Sequence, residues 1–321
     1  MNESNQHRES NLWTIVLAAG EGTRLRSLTR ALHGEARPKQ FAIIQKDKSL
    51  LQTTLTRAAR WSVPEETVVV VGRDQEQLAR SQLDGFRGVQ VVAQPQNAGT
   101  GPGVLLPLRH VLEQDPAALV VIMPSDQYVE NTEAFVESVR RAEAVARRDG
   151  SIVLIGAVPE RAETQYGWIV AEPDSGRVSR FCEKPGPTVA KELFRSGGLW
   201  NTFIMVGPAA RFWELGRRHL PKQTELLSLI GQTRRSERAA LLTRLYEAMQ
   251  AADFSSEVLQ RAESLRTVEL QPCGRSDWGT PERVMRSLYG TEDYAMLVAR
   301  LRAYVKNAEG KSVHAEGHQA A

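Results

Sequence analysis

Ile15-Val16-Leu17-Ala18-Ala19-Gly20-Glu21-Gly22-Thr23-Arg24, followed after a basic connector by Pro38-Lys39-Gln40-Phe41, is the stretch whose reading decides the fold. Ile15, Val16 and Leu17 have the apolar, β-branched character of a buried strand, and Gly20-Glu21-Gly22 lets backbone N–H groups turn inward with no Cβ in the way. Such a loop binds phosphate. Its amides and the N-terminus of a following helix supply partial positive charge, Arg24 adds a planar fork of donors, and Lys39 returns a point charge. A glycine pair after a strand also fits a simple tight turn or a dinucleotide fold. A dinucleotide fingerprint, however, needs a third small residue where this chain has Leu25, and a P-loop needs a Gly-Lys-Ser/Thr that does not follow.

The chain has 321 residues, with Lys plus Arg 41 against Asp plus Glu 38 and a formal net charge of +3. This length accommodates one large domain, and the balanced, scattered charge argues against a nucleic-acid surface. Cys182 and Cys273 are too few for a disulfide framework, no apolar run approaches membrane-spanning length, and Met1 to Ser10 carries no targeting pattern. The expectation is a soluble, cytoplasmic protein: a single domain over 11–306 between disordered ends at 1–10 and 307–321.

Beyond the opening stretch, apolar runs alternate with amphipathic segments, the pattern of a Rossmann-like, doubly wound α/β fold with a mostly parallel sheet. Ser49 and Gln52 have capping-box spacing and open a helix whose Leu51, Leu55 and Ala58 share a face; Asp74 and Gln77 repeat the spacing before a short helix. Strands are predicted at Thr67 to Val71, Val89 to Ala93, Leu119 to Met123, Ile152 to Ala157, Phe203 to Val206 and Leu265 to Leu270. Asn97 to Gly103 is a second glycine loop, or a flexible linker, leading into an apolar helix whose first turns Pro107 sets or kinks. Asp126 follows the clearest central strand, where ligands of open α/β sheets collect, although an Asp there serves about as often as a helix or turn cap. Asn131 starts a polar helix to about Arg148. Trp168 to Val170 and Val178 to Glu183, joined by the turn Asp174-Ser175-Gly176, suggest a small β-rich subsite. From Pro208 to about Gln260 the chain is helical and charged and offers no chemistry. Thr280 can cap and Pro281 can start a helix to Leu288, and Thr291 caps a last amphipathic helix.

From about Trp13 to Leu288 these stretches, taken in order, resemble the sugar-1-phosphate nucleotidyltransferases. The matching set is Gly20 to Arg24, Pro38 to Phe41, Ser49 to Gln52, the Asn97 to Gly103 loop, Asp126, Tyr166-Gly167-Trp168-Ile169, Glu183-Lys184-Pro185, Trp200-Asn201 and Asp277-Trp278-Gly279-Thr280. Gln40-Phe41 and the Ser49 to Gln52 run make the chain most similar to the mannose-1-phosphate guanylyltransferases. The resemblance implies a GT-A-like nucleotidyltransferase domain with a β-rich sugar subsite and a helical C-terminal part. It also implies transfer of a nucleotidyl group from GTP to mannose 1-phosphate, with thymidylyl or uridylyl transfer to glucose 1-phosphate as the alternative.

In that reading Gly20, Gly22 and Thr23 cradle the triphosphate, Arg24 neutralises the departing pyrophosphate and Lys39 holds the α-phosphate. Gln94, Asn97, Gly99 and Thr100 correspond to the base and ribose side. Gly167, Glu183 and Asn201 correspond to sugar-hydroxyl contacts, and Lys184 meets the sugar's phosphate. For Glu183-Lys184 the bland alternative is a surface ion pair, worth little, and Trp168, Trp200 and Trp278 fit core as well as a sugar site. Asp126 and Asp277 are the metal pair for Mg2+ or Mn2+. The implied partners are a nucleoside triphosphate and a sugar 1-phosphate, with no nucleic acid and no membrane and with homodimer assembly left open. Departures from the family are a longer connector between Arg24 and Pro38 with Ser27 where proline is common, Gln127 where histidine is common, and a base loop that mixes branches. The chain ends without the extra domain some relatives carry, so a single activity is expected. A nicotinamide-dependent oxidoreductase gives no role to Lys39, Asp126 and Asp277, and a silent nucleotide-binding regulator gives none to both aspartates.

Overall fold

The computed structural model describes residues 12–316. The strands there are β1 (Leu12–Leu17), β2 (Thr67–Gly72), β3 (Gln90–Gln94), β4 (Leu119–Pro124), β5 (Val153–Ala157), β6 (Trp168–Ala171), β7 (Val178–Cys182), β8 (Leu199–Pro208) and β9 (Arg266–Glu269). They form one sheet in the order β3-β2-β1-β4-β8-β5-β9, with β6 pairing both β7 and β8. β3, β2, β1 and β4 run parallel, and their partners at the centre are buried on both faces, which is why β1, β2 and β4 read as continuous Val, Ile and Leu runs rather than as alternation. β8 is antiparallel to β4, β5 and β6. The mostly parallel α/β sheet is therefore present, with a reversed strand beside the central one.

The described residues form two compact units, one from 12–19, 56–124 and 131–273 and the other from 20–55, 125–130 and 274–316. The sequence predicts a single domain over 11–306. Three chain segments far apart in sequence build the second unit, and linear periodicity carries no sign of such a division. The first unit holds the whole sheet, and its core packs Ile15, Val68, Val70, Val120 and Ile122 against Val104, Leu105 and Leu108 of the Thr100–Gln114 helix. The second has its own core of Leu25, Leu28, Ile44, Leu50, Trp278, Val284, Leu288 and Leu297. No helix among the described residues is long and apolar enough to cross a membrane.

Most local signals are realised. The Ser49 amide donates to Gln52 Oε1 at 3.0 Å and the Gln52 amide to Ser49 Oγ at 3.2 Å, the reciprocal capping box that opens Leu50–Ala58. Asn131 caps Thr132–Asp149, and Thr280 caps Pro281–Leu288. The box expected at Asp74 and Gln77 does not form: a 3-10 turn already begins at Arg73, so Asp74 lies inside it and the Glu76–Ser81 helix starts without a side-chain cap. Pro107 sits in the interior of the Thr100–Gln114 helix rather than its first turns; Pro102 takes the early position. The last helix runs Glu292–Glu316, past Asn307 where the tail was expected to begin. The N-terminal stretch 1–10 and residues 317–321 lie outside the described residues.

Candidate active site

In the second unit, Thr23–Leu25 is a 3-10 turn and Arg26–His33 a helix, so the long connector is folded. Its end is tied down by His33, whose Nε2 accepts from the Ile43 amide at 3.2 Å. Burial, then the charges of Arg37 and Arg300, hold the His33 imidazole below its ordinary pKa, which suits an acceptor nitrogen. Gly22 has φ +59°, and a Cβ there would lie 2.6 Å from the backbone N of Lys39. Only glycine lets the loop lie on the Pro38-Lys39 backbone in that conformation. Gln40 Nε2 donates to the Gly20 carbonyl at 2.7 Å, so the two separated motif pieces form one structure. Around Gly20 itself, a Cβ would meet nothing within 4 Å.

Lys39 has a buried side chain, and a buried ammonium requires partners. It has two: Asp126 Oδ2 at 2.9 Å, and the backbone carbonyl of Asp277. Asp126 and Asp277 meet there because Tyr128 and Ser276 exchange backbone hydrogen bonds of 2.9 and 3.1 Å, and Arg275 Nε donates to Gln127 Oε1 at 2.7 Å. The Tyr128 ring stacks on Trp278 with centroids 4.8 Å apart, and Trp278 is fully buried, so it is core rather than a sugar platform. The Asp277 carboxylate accepts from Arg283 Nη1 through both oxygens, at 2.8 and 2.9 Å, and Oδ1 from the Gly279 amide at 3.2 Å. A Cβ on Gly279 would lie 2.8 Å from Asp277 Oδ2 and 3.4 Å from Nη1 of both Arg24 and Arg283. Arg24, Lys39, Asp126 and Asp277 are thus brought together with Gly279 of the Asp277 to Thr280 motif, and Arg283 joins them unforeseen. Among the described residues no group of three or more His, Cys, Asp or Glu is placed to hold a metal. The two aspartates are hard oxygen donors that fit a divalent ion completing its shell with phosphate oxygens and water.

In the first unit the glycine loop is built against residues 252–254. Asn97 Oδ1 accepts from the Gly99 amide at 3.0 Å, and Gly99, at φ +84°, has no room for a Cβ, which would lie 2.4 Å from the Ala252 carbonyl oxygen. Thr100 Oγ1 donates to Asp253 Oδ2 at 3.0 Å and accepts from the Phe254 amide at 2.7 Å. Gln94 is buried, with Oε1 accepting from the Tyr246 hydroxyl at 3.2 Å. The loop is an ordered helix entrance, not a linker, and the helical stretch from Pro208 to Gln260 supplies Tyr246 and Asp253 as hydrogen-bond partners of Gln94 and Thr100.

Gly167, Glu183 and Asn201 also meet. A Cβ on Gly167 would lie 2.6 Å from Glu183 Oε2 and 3.2 Å from Asn201 Cβ, and the Asn201 amide donates to the Gly167 carbonyl at 2.7 Å. A bulge positions Asn201: the β5–β8 register shifts between Ile155 and Gly156, and Phe203 takes φ +59°. Lys184 Nζ pairs with Glu183 Oε1 at 3.2 Å. Burial raises the Glu183 pKa against the opposing pull of Lys184. Burial also pushes Asp253 up, but hydrogen bonds from the Ser256 amide and the Thr100 and Ser256 hydroxyls, with the Lys184 charge, hold it below the usual carboxylate range. Trp168 and Trp200 are buried and pack edge to face at 6.2 Å, as core.

A family model described as Nucleotidyl transferase matches residues 13–244, more than half of the chain. Mannose-1-phosphate guanylyltransferase from Escherichia coli is 31% identical over 229 residues, covering 66% of this chain and 46% of that protein. Alginate biosynthesis protein AlgA from Pseudomonas syringae is 30% identical over 216 residues, covering 64% and 44%. The matched part therefore spans less than half the length of these curated relatives. The crystal structure of mannose-1-phosphate geranyltransferase from Thermus thermophilus superposes with a TM-score of 0.76 at 31% identity, covering 87% of this chain and 79% of that one. The parallel sheet, the glycine loop seated on Lys39 and the family match agree: the chain belongs to the nucleotidyl transferase family.

Proposed function

We propose that the protein transfers a nucleotidyl group from GTP to mannose 1-phosphate, giving a nucleotide sugar and pyrophosphate. The observation that carries this reading is Lys39 joining Asp126 and Asp277, a buried cation held by the carboxylate of the one and the backbone carbonyl of the other beside a glycine loop. In the reaction an oxygen of the sugar phosphate forms a bond to the α-phosphorus while the bond from that phosphorus to the bridging oxygen breaks, and pyrophosphate leaves with the electron pair. A phosphate monoester with a second pKa of about 6 is already ionised at neutral pH, so no general base is required. Catalysis then rests on positioning and charge. Gly20, Gly22 and Thr23 present backbone amides to the triphosphate, Lys39 holds the α-phosphate, and Arg24 neutralises the leaving pyrophosphate. Asp126 and Asp277 hold Mg2+ or Mn2+, which would supply Lewis-acid charge to the phosphate oxygens when bound.

The base and sugar roles fall to the first unit. Gln94, Asn97, Gly99 and Thr100 serve the nucleoside; Gly167, Glu183 and Asn201 serve the sugar hydroxyls, and Lys184 serves its phosphate. Lys184 is the more exposed partner of its ion pair with Glu183, so it can turn to an incoming phosphate at little cost. GTP is preferred on the likeness of this chain to the guanylyltransferases. A cytoplasmic site, where nucleoside triphosphates and Mg2+ are supplied, belongs to the same reading. A matrix of four nucleoside triphosphates against several hexose 1-phosphates, scored by pyrophosphate release, tests it. GTP with mannose 1-phosphate should give the highest kcat/KM; a higher value for dTTP or UTP would replace the base assignment.

A further inference from the structure

Arg283 holds Asp277 in the manner of a bound cation. Its Nη1 straddles the carboxylate, 2.8 Å from Oδ1 and 2.9 Å from Oδ2, the place of an ion gripped by both oxygens. A hard divalent ion such as Mg2+ needs its oxygens at about 2.0 to 2.1 Å and cannot share that position with a guanidinium nitrogen. Both side chains are largely shielded, 24% and 18% exposed, so water screens the repulsion between two such cations only in part. The second observation concerns Arg24. Its Nη1 and that of Arg283 lie equally near the point where a Gly279 Cβ would stand, so two guanidinium groups gather beside one carboxylate.

We propose that Arg283 is a built-in counter-cation of Asp277, which a divalent metal must displace before Asp277 can ligate it. The polyphosphate provides the means. Its oxygens draw the released guanidinium to the side of Arg24, the metal takes over the carboxylate, and metal and triphosphate bind cooperatively. The inference rests on the reading of Asp277 as a metal ligand. Nothing in the sequence marks Arg283, which stands in the first turn of the Pro281–Leu288 helix.

Mn2+ binding to the full chain without nucleotide, followed by electron paramagnetic resonance of the free ion, tests it. Arg283→Gln should bind Mn2+ at least about tenfold more tightly than wild type, since a unit charge beside the ligand is gone. Combining it with Asp277→Asn should abolish the gain. Arg283→Met, of similar length and uncharged, must show the same gain and serves if the glutamine variant fails to fold. Equal or weaker binding by the Arg283 variants would make Arg283 an orienting group and overturn the proposal, as would a gain that survives Asp277→Asn. Metal dependence of wild-type pyrophosphate release is recorded in parallel. Turnover that needs metal, with no gain in the variants, overturns displacement alone; turnover without metal overturns the functional reading beneath it.

Discussion

Replacing Gly22 by alanine separates a glycine that is needed for shape from one that is merely small. At φ +59° a non-glycine residue costs about 1 to 2 kcal/mol, and a Cβ 2.6 Å from the Lys39 backbone N forces a backbone shift worth about 1 to 2 kcal/mol more. The sum, about 2 to 4 kcal/mol, corresponds to a fall in Tm of about 4 to 8 °C in a chain of this size. The clash also displaces Lys39, and a misplacement of about 1 Å at a reacting phosphate can lower kcat on the order of a hundredfold. Gly20→Ala meets no atom within 4 Å and should leave Tm within about 1 °C of wild type. Differential scanning calorimetry and steady-state kinetics on both variants provide the measurement. If Gly22→Ala kept the wild-type Tm and kcat, the glycine loop would not be seated on Lys39, and the physical union of the two motif pieces would be wrong.

Asp126→Asn and Asp277→Asn should each remove most metal-dependent turnover while circular dichroism stays native; near-normal turnover at saturating metal would release that residue from the ligand set. Arg24→Ala and Lys39→Ala should lower kcat strongly, whereas Lys184→Ala should chiefly raise the KM for sugar phosphate, and the reverse pattern in kinetics would exchange their roles. For Glu183, burial raises the carboxyl pKa in the folded state, so the stability of the protonated form is fully present below the unfolded value near 4.5 and is lost as pH rises through the folded one. Glu183→Gln should therefore match wild-type Tm near about pH 4 and exceed it increasingly toward about pH 7; a gap that is constant or opposite in thermal scans would contradict the assignment.

The central strands, the glycine loop and the caps at Ser49, Asn131 and Thr280 were legible because each rests on local chemistry: β-branched burial, φ freedom, or a side chain three residues from an amide. Arg283, and the part Gly279 plays beyond its place in the Asp277 to Thr280 motif, were not legible. What makes them matter is where the Tyr128–Ser276 pairing puts Asp277, a contact between segments about 150 residues apart that no local period encodes. The same holds for Asp253, which looks like an ordinary helix cap until Thr100 is seen to donate to it. Asp74 failed for the opposite reason: the spacing was right, but a 3-10 turn took the place where a cap would stand.

The most direct measurement of the account is phosphorus NMR of GTP and mannose 1-phosphate incubated with the protein and Mg2+. The account predicts one pyrophosphate for each new diphosphate-linked nucleotide sugar, with neither product when Mg2+ or either substrate is withheld. Release of inorganic phosphate or pyrophosphate without a sugar adduct, or an adduct formed equally well without metal, would contradict it.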